Sequence, residues 1–171
     1  MNLSSSVLPN IPQVGDLAPD FDLPALIAGV KKRFRLSEFR NKNNLVLAFY
    51  PLNWEPVSAQ QLAQYQVALQ RFAAQDTSVL AISVDSIMNT TAWEREIGPF
   101  DFALGSDFWP HGEVSRRYGL LRESGPQAGT SDRAILVVNK NGRIVFRNVY
   151  QPKVVPNVEE TLAVLKSMSQ S

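Results

Sequence analysis

The chain of 171 residues reads as a single α/β sandwich, a mixed central sheet flanked by helices. Three observations predict it. Residues 44–50, "NLVLAFY", and 77–85, "TSVLAISVD", are apolar runs of strand length, continuous enough to be buried on both faces. Between them a helical pattern starts near Pro56, so strand, helix and strand form a crossover unit with parallel strands. Toward the C-terminus, 132–150 holds two β-runs joined by Lys140, Asn141 and Gly142, and an Asn-Gly turn between such runs signals an antiparallel hairpin.

The elements follow in order. Residues 1–13 are polar, carry prolines and show no period, so a flexible N-terminal arm is expected there and one domain over 14–171. Residues 14–26, "VGDLAPDFDLPAL", read as turns with brief strands. Residues 31–39, "KKRFRLSEF", offer a pairing partner and then a turn of helix led by Ser37. In the helix after Pro56, Leu62, Tyr65, Leu69 and Phe72 recur at spacings of three and four, which turns one apolar stripe to the core and the glutamines to water. Pro56 suits the first helical turn, where its missing N–H is not needed. Residues 89–98 read as a helix capped by Asn89 or Thr90 and stopped by Gly98. A short strand and loop, a short helix ending at Gly119 and a loop over 123–131 come next. A closing amphipathic helix over 157–168 puts Val158, Leu162 and Leu165 on one face.

Composition excludes several classes. A net charge of +1 gives no electrostatic case for nucleic acid or an anionic membrane. No apolar run approaches the roughly 20 residues of a membrane helix. The first residues lack the basic start and apolar stretch of a signal peptide, so the cytoplasm is the expected location. With no cysteine there is no disulfide and no thiolate chemistry in this chain. His111 is the one histidine, which argues against a metal site, and no cofactor is expected.

The candidate site is the start of the helix after Pro56. The first N–H groups of a helix lack internal partners and, with the helix dipole, attract negative charge. A cysteine there would ionise easily, and a nearby arginine would help. Ser58 stands there instead, with a hydroxyl that needs a general base to react.

Several stretches carry a family resemblance: "VGDLAPDFDLP", "LVLAFYP", "WEPVSAQQ", "AISVDS" and "DRAILVVNKNGRI". In order and spacing they resemble the peroxiredoxins, the AhpC/TSA group of thiol peroxidases, over about Val14 to Leu165. The resemblance implies a thioredoxin-like fold and a catalytic loop of the form Pro-x-x-x-Thr/Ser-x-x-Cys. Pro51 matches the proline that shields the reactive sulfur. Ser58 stands where the family has its peroxidatic cysteine, and Glu55 where it has threonine or serine. Arg133 matches the arginine that lowers the cysteine pKa and holds substrate, and Gln61 a position often occupied by glutamate. The implied reaction is attack of a thiolate on a peroxide oxygen, giving a sulfenic acid that a second thiol reduces. Serine has no such cycle, so this chain is expected not to turn over peroxide.

Ser58 represents either an engineered Cys→Ser replacement or a natural loss, and both stay open. In the natural case, Glu55 pairs with Arg133 and fills the peroxide pocket. Two functions follow. One is a thiol-dependent peroxidase scaffold, with hydrogen peroxide, organic hydroperoxides or peroxynitrite as substrates and a thioredoxin-like reductant as partner. The other is a redox-silent relative that binds or assembles. A homodimer is expected in either case, with the strand near 146–150 as a pairing edge.

Plainer readings stand beside these. Ser58 by itself is a first-turn serine. "PVSAQ" is not a nucleophile elbow, and His111 belongs to a surface loop. Trp54, Trp93 and Trp109 read as packing residues, and Lys31, Lys32, Arg33 and Arg35 as a solvated turn.

Overall fold

A computed structural model describes residues 10–170. Residues 1–9 of the expected N-terminal arm lie outside the described residues, and Pro12 in its remainder is buried.

Seven strands form one sheet: β1 (Asp22–Ile27), β2 (Val30–Arg35), β3 (Asn44–Phe49), β4 (Thr77–Ser83), β5 (Ala103–Ser106), β6 (Arg133–Val138) and β7 (Ile144–Tyr150). Their order is β2-β1-β5-β4-β3-β6-β7. β3 runs parallel to β4, and β4 to β5, while the remaining pairs are antiparallel. The helices are α1 (Pro56–Ala73), α2 (Ile87–Ile97), α3 (Glu113–Arg117) and α4 (Val158–Ser169). Among the described residues no helix is long and apolar enough to cross a membrane.

The continuous apolar runs are explained by a core on each face of the sheet. Leu45, Leu47 and Phe49 of β3 point into one, with Phe21, Phe34 and Tyr118. Val46, Ala48 and Tyr50 point into the other, under Leu62, Tyr65 and Phe72 of α1 and Leu162 and Leu165 of α4. Side chains of a strand alternate between faces, so a strand covered on both sides has no polar position to offer.

The structure corrects several local expectations. The basic cluster of residues 31–35 lies on strand β2 rather than in a turn; there, Arg33 and Arg35 both reach the carboxylate of Asp22, at 2.7 and 3.0 Å. The turn of helix after it is a 3-10 turn over Leu36–Phe39 that begins before Ser37. α2 begins three residues earlier than Thr90. Its cap is Ser86, whose Oγ accepts from the Asn89 N–H, and Gly98 does stop it. In the β6–β7 hairpin, Asn139 takes part with Lys140, Asn141 and Gly142. Its carbonyl accepts from the Gly142 N–H at 2.9 Å, and its side chain accepts from the N–H groups of Asn141 and Arg143. Only Gly142, at φ 81°, adopts the left-handed conformation of this turn. Trp93 is core, but Trp54 and Trp109 are 54% and 83% exposed and so are not packing residues. Their rings sit in loops with too little neighbouring chain to cover them.

Candidate active site

The loop from β3 into α1 is held by a polar network. The Tyr50 hydroxyl donates to Asn53 Oδ1 at 2.8 Å, and the Asn53 N–H donates to Asp85 Oδ2 at 2.8 Å. The Asn53 amide then reaches Asn89 Oδ1 and Thr90 Oγ1 on α2, at 3.0 and 2.9 Å. These bonds hold Trp54 at φ 68°, a conformation that L residues with large side chains resist. Its indole N–H adds a bond to Asn89 Oδ1 at 2.9 Å.

The next residue, Glu55, is the N-cap of α1, in extended backbone geometry, with Pro56 at the first helical position. Its carboxylate folds back over the helix end. Oε1 accepts from the Val57 N–H at 2.9 Å, and Oε2 from the Ser58 N–H at 2.7 Å. The same Oε2 accepts the Ser58 hydroxyl at 2.6 Å and Arg133 Nη2 at 2.9 Å. Two orphan N–H groups of the helix thus find one anion, and the helix dipole favours its charge.

Arg133 opens β6, 75 residues away in sequence, and its side chain is only 1% exposed. β6 pairs with β3, the strand that feeds the loop, which brings the guanidinium under the start of α1. Nη1 donates to Ser58 Oγ at 3.1 Å and to Gln61 Oε1 at 2.7 Å. Nε and Nη2 both donate to the carbonyl of Pro152, at 3.2 and 2.9 Å. The Gln61 amide N–H donates onward to the Tyr65 hydroxyl at 2.8 Å.

Burial acts to raise the pKa of Glu55. The hydrogen bonds from the Ser58 hydroxyl, the Val57 and Ser58 N–H groups and Arg133 outweigh it, and hold the carboxyl below its ordinary value. At neutral pH the niche therefore contains a guanidinium and a carboxylate. Ser58 is fully buried, with its hydroxyl between them.

Three of the four expected site residues, Glu55, Ser58 and Arg133, meet in one hydrogen-bonded cluster. Pro51, the fourth, is buried in the same loop but is not among the hydrogen-bonded groups. Gln61 joins the cluster fully buried, an exception to the expectation that the α1 glutamines face water, which Gln60 and Gln70 meet. The spacing held the signal: residues 58, 61, 65, 68 and 72 follow one helical face, and all five are buried. The Pro152 carbonyl leaves no sequence signal, because every residue carries one. His111 lies exposed, its Nε2 2.7 Å from the carbonyl of Gly129, away from this cluster.

Comparisons with known proteins place the family and the fold. The model of the AhpC/TSA family matches residues 14–147. Alkyl hydroperoxide reductase E of Mycobacterium tuberculosis is 37% identical over 139 residues, covering 81% of this chain and 86% of the relative. A putative peroxiredoxin of Synechocystis is 34% identical over 162 residues, covering 91% and 78%. Among solved structures, reduced 2-Cys peroxiredoxin of Plasmodium vivax superposes with a TM-score of 0.85 at 26% identity, covering 92% of this chain and 82% of that one.

Proposed function

The chain belongs to the AhpC/TSA family of peroxiredoxins, and from that premise we propose a thiol-peroxidase scaffold that is silent as written. In its cysteine-bearing form, residue 58 would attack one oxygen of hydrogen peroxide or an organic hydroperoxide. The sulfur becomes a sulfenic acid, and water or an alcohol leaves. A thioredoxin-like protein would return the sulfenic acid to thiol. Arg133 would stabilise the thiolate and orient the peroxide.

The observation that carries this reading is the buried contact between Arg133 Nη1 and Ser58 Oγ, 3.1 Å apart. A side chain held by a guanidinium at a helix N-terminus is in the right field for a thiolate. Serine does not use that field. Its oxygen cannot pass through an oxidised state, and Glu55, held below its ordinary pKa, is a weak base for a hydroxyl.

The test measures peroxide consumption with a thioredoxin system for the unaltered chain, Ser58→Cys, and Ser58→Cys with Glu55→Thr. The expected outcome is no turnover for the first and clear turnover for the third. Catalytic consumption by the unaltered chain, or a double variant no faster than free thiol, would sink the reading.

A second reading, a redox-silent relative that binds or assembles, is favoured by one observation. Glu55 already supplies the negative charge that Arg133 needs, at 2.9 Å, so the niche is complete without sulfur. A serine codon at position 58 of the natural gene supports this reading, and a cysteine codon the first. In both readings a homodimer is proposed, with β7, the last strand of the sheet, as its edge.

A further inference from the structure

We propose that Asn141 is a self-modification site. The Gly142 nitrogen attacks the Asn141 side chain, water opens the resulting ring, and the isoaspartate left behind loosens the clasp between the β6–β7 turn and residues 15–18. The sequence singles out the pair, because Asn141 is the one asparagine of the chain followed by glycine. Every other asparagine precedes a residue whose side chain crowds the attacking nitrogen.

The surroundings favour the reaction. Asn141 is exposed at the turn, within reach of water. Attack needs the Gly142 nitrogen to lose its proton, which adjacent positive charge promotes. A Cβ on Gly142 would stand 2.8 Å from Arg40 Nη2, so a guanidinium lies against this residue. Lys140 and Arg143 flank the pair in sequence, and the nearest carboxylate bonded there, Asp76, is held by Lys140 Nζ at 3.2 Å. The brake is the bond from the Gly142 N–H to the Asn139 carbonyl at 2.9 Å. A bond in an exposed turn opens at low cost, and opening frees the nitrogen.

The step balances with water as the only co-reactant, and nothing is oxidised or reduced. The bond from Gly142 N to Asn141 Cγ forms, the Cγ–Nδ2 bond breaks, and ammonia leaves with the Gly142 proton. Water then opens the cyclic imide. Opening at Cγ gives aspartate, and opening at the main-chain carbonyl gives isoaspartate, whose chain runs through Cγ and carries an added backbone atom. That atom falls in a turn from which another segment hangs. The Gly142 carbonyl accepts the Ala18 N–H at 2.9 Å, the Ile144 N–H donates to the Asp16 carbonyl at 2.9 Å, and the Ile144 carbonyl accepts the Gly15 N–H at 2.8 Å. Arg143 Nη1 adds a bond to the Gly15 carbonyl at 2.9 Å. A lengthened turn moves Gly142 and Arg143 out of register with these partners.

The test incubates the folded, unaltered chain in mildly alkaline buffer and follows every asparagine by peptide mass spectrometry that separates aspartate from isoaspartate. Asn141 should convert several-fold faster than any other asparagine, with isoaspartate the larger product. Hydrogen exchange at the Ala18 and Ile144 N–H groups should quicken in the converted fraction. Asn141→Asp, which brings the charge without the added backbone atom, should keep the original protection. An intact Asn141, or another asparagine converting first, would overturn the modification site. Conversion with unchanged exchange at Ala18 and Ile144, or equal loosening in Asn141→Asp, would overturn the link to the clasp.

Discussion

At the scale of single residues, the chemistry turns on where one negative charge sits. An arginine as deeply buried as Arg133 is costly unless an anion faces it. Glu55 is that anion, so removing it should destabilise the fold by about 2–3 kcal/mol, discounted for its partial exposure, as read by urea unfolding of Glu55→Ala. A pH dependence follows from the same pair. The folded pKa of Glu55 lies below its ordinary value of 4.5, so its contribution is fully present above the unfolded value and is lost as pH falls through the folded one. Urea unfolding from pH 6 to pH 3 should show that loss, and Glu55→Gln should flatten it. An unchanged slope in the variant would count against the pairing. The same charge bears on Ser58→Cys. A thiolate there would sit beside the carboxylate that now bonds the hydroxyl at 2.6 Å, so its pKa should be higher, by about one unit or more, than in Ser58→Cys with Glu55→Thr. Thiolate absorbance against pH measures both, and equal values would refute the idea.

At the scale of elements, α1 does two tasks with one face. Its stripe from Leu62 to Phe72 covers the sheet, and the same stripe carried back one turn delivers Gln61 and Ser58 to Arg133. Leu62→Ala should therefore cost about 2–5 kcal/mol in urea unfolding and loosen the site as well. In α2 the cap is Ser86, so Ser86→Ala should cost about 1 kcal/mol, whereas Thr91→Ala, away from the cap, should cost less. Asn89 and Thr90 are good cap types, so local sequence places the start of α2 too late. Their side chains are instead engaged by Asn53 of the loop entering α1. Such a tertiary use of a capping residue leaves no local trace. The stripe of α1 is legible by its period, yet residue type alone sends Gln61 to water. Its partner, Arg133, is 72 residues away in sequence, so the compensation for burying it was invisible.

At the scale of the whole molecule, the sheet ends on β7, and Val149 in that strand is 48% exposed. Pairing of two such edges would satisfy the free N–H and C=O groups and cover the valine. Val149→Lys should then shift sedimentation from dimer to monomer without loss of the folded spectrum. A unaltered chain that sediments as a monomer at micromolar concentration would exclude this edge as the interface.

Local pattern was enough for the strands, for the parallel pair around α1 and for the antiparallel hairpin, because hydrophobic period and turn chemistry act over a few residues. The motif resemblance likewise marked positions 55, 58 and 133 as belonging together. Only the tertiary structure decided what they do to one another. Strand order places β6 beside β3, burial removes water from the guanidinium, and the carboxylate at the helix end then has both a charge and two N–H groups to satisfy. These are long-range effects of charge and desolvation, and they depend on distances in space that spacing along the chain does not contain.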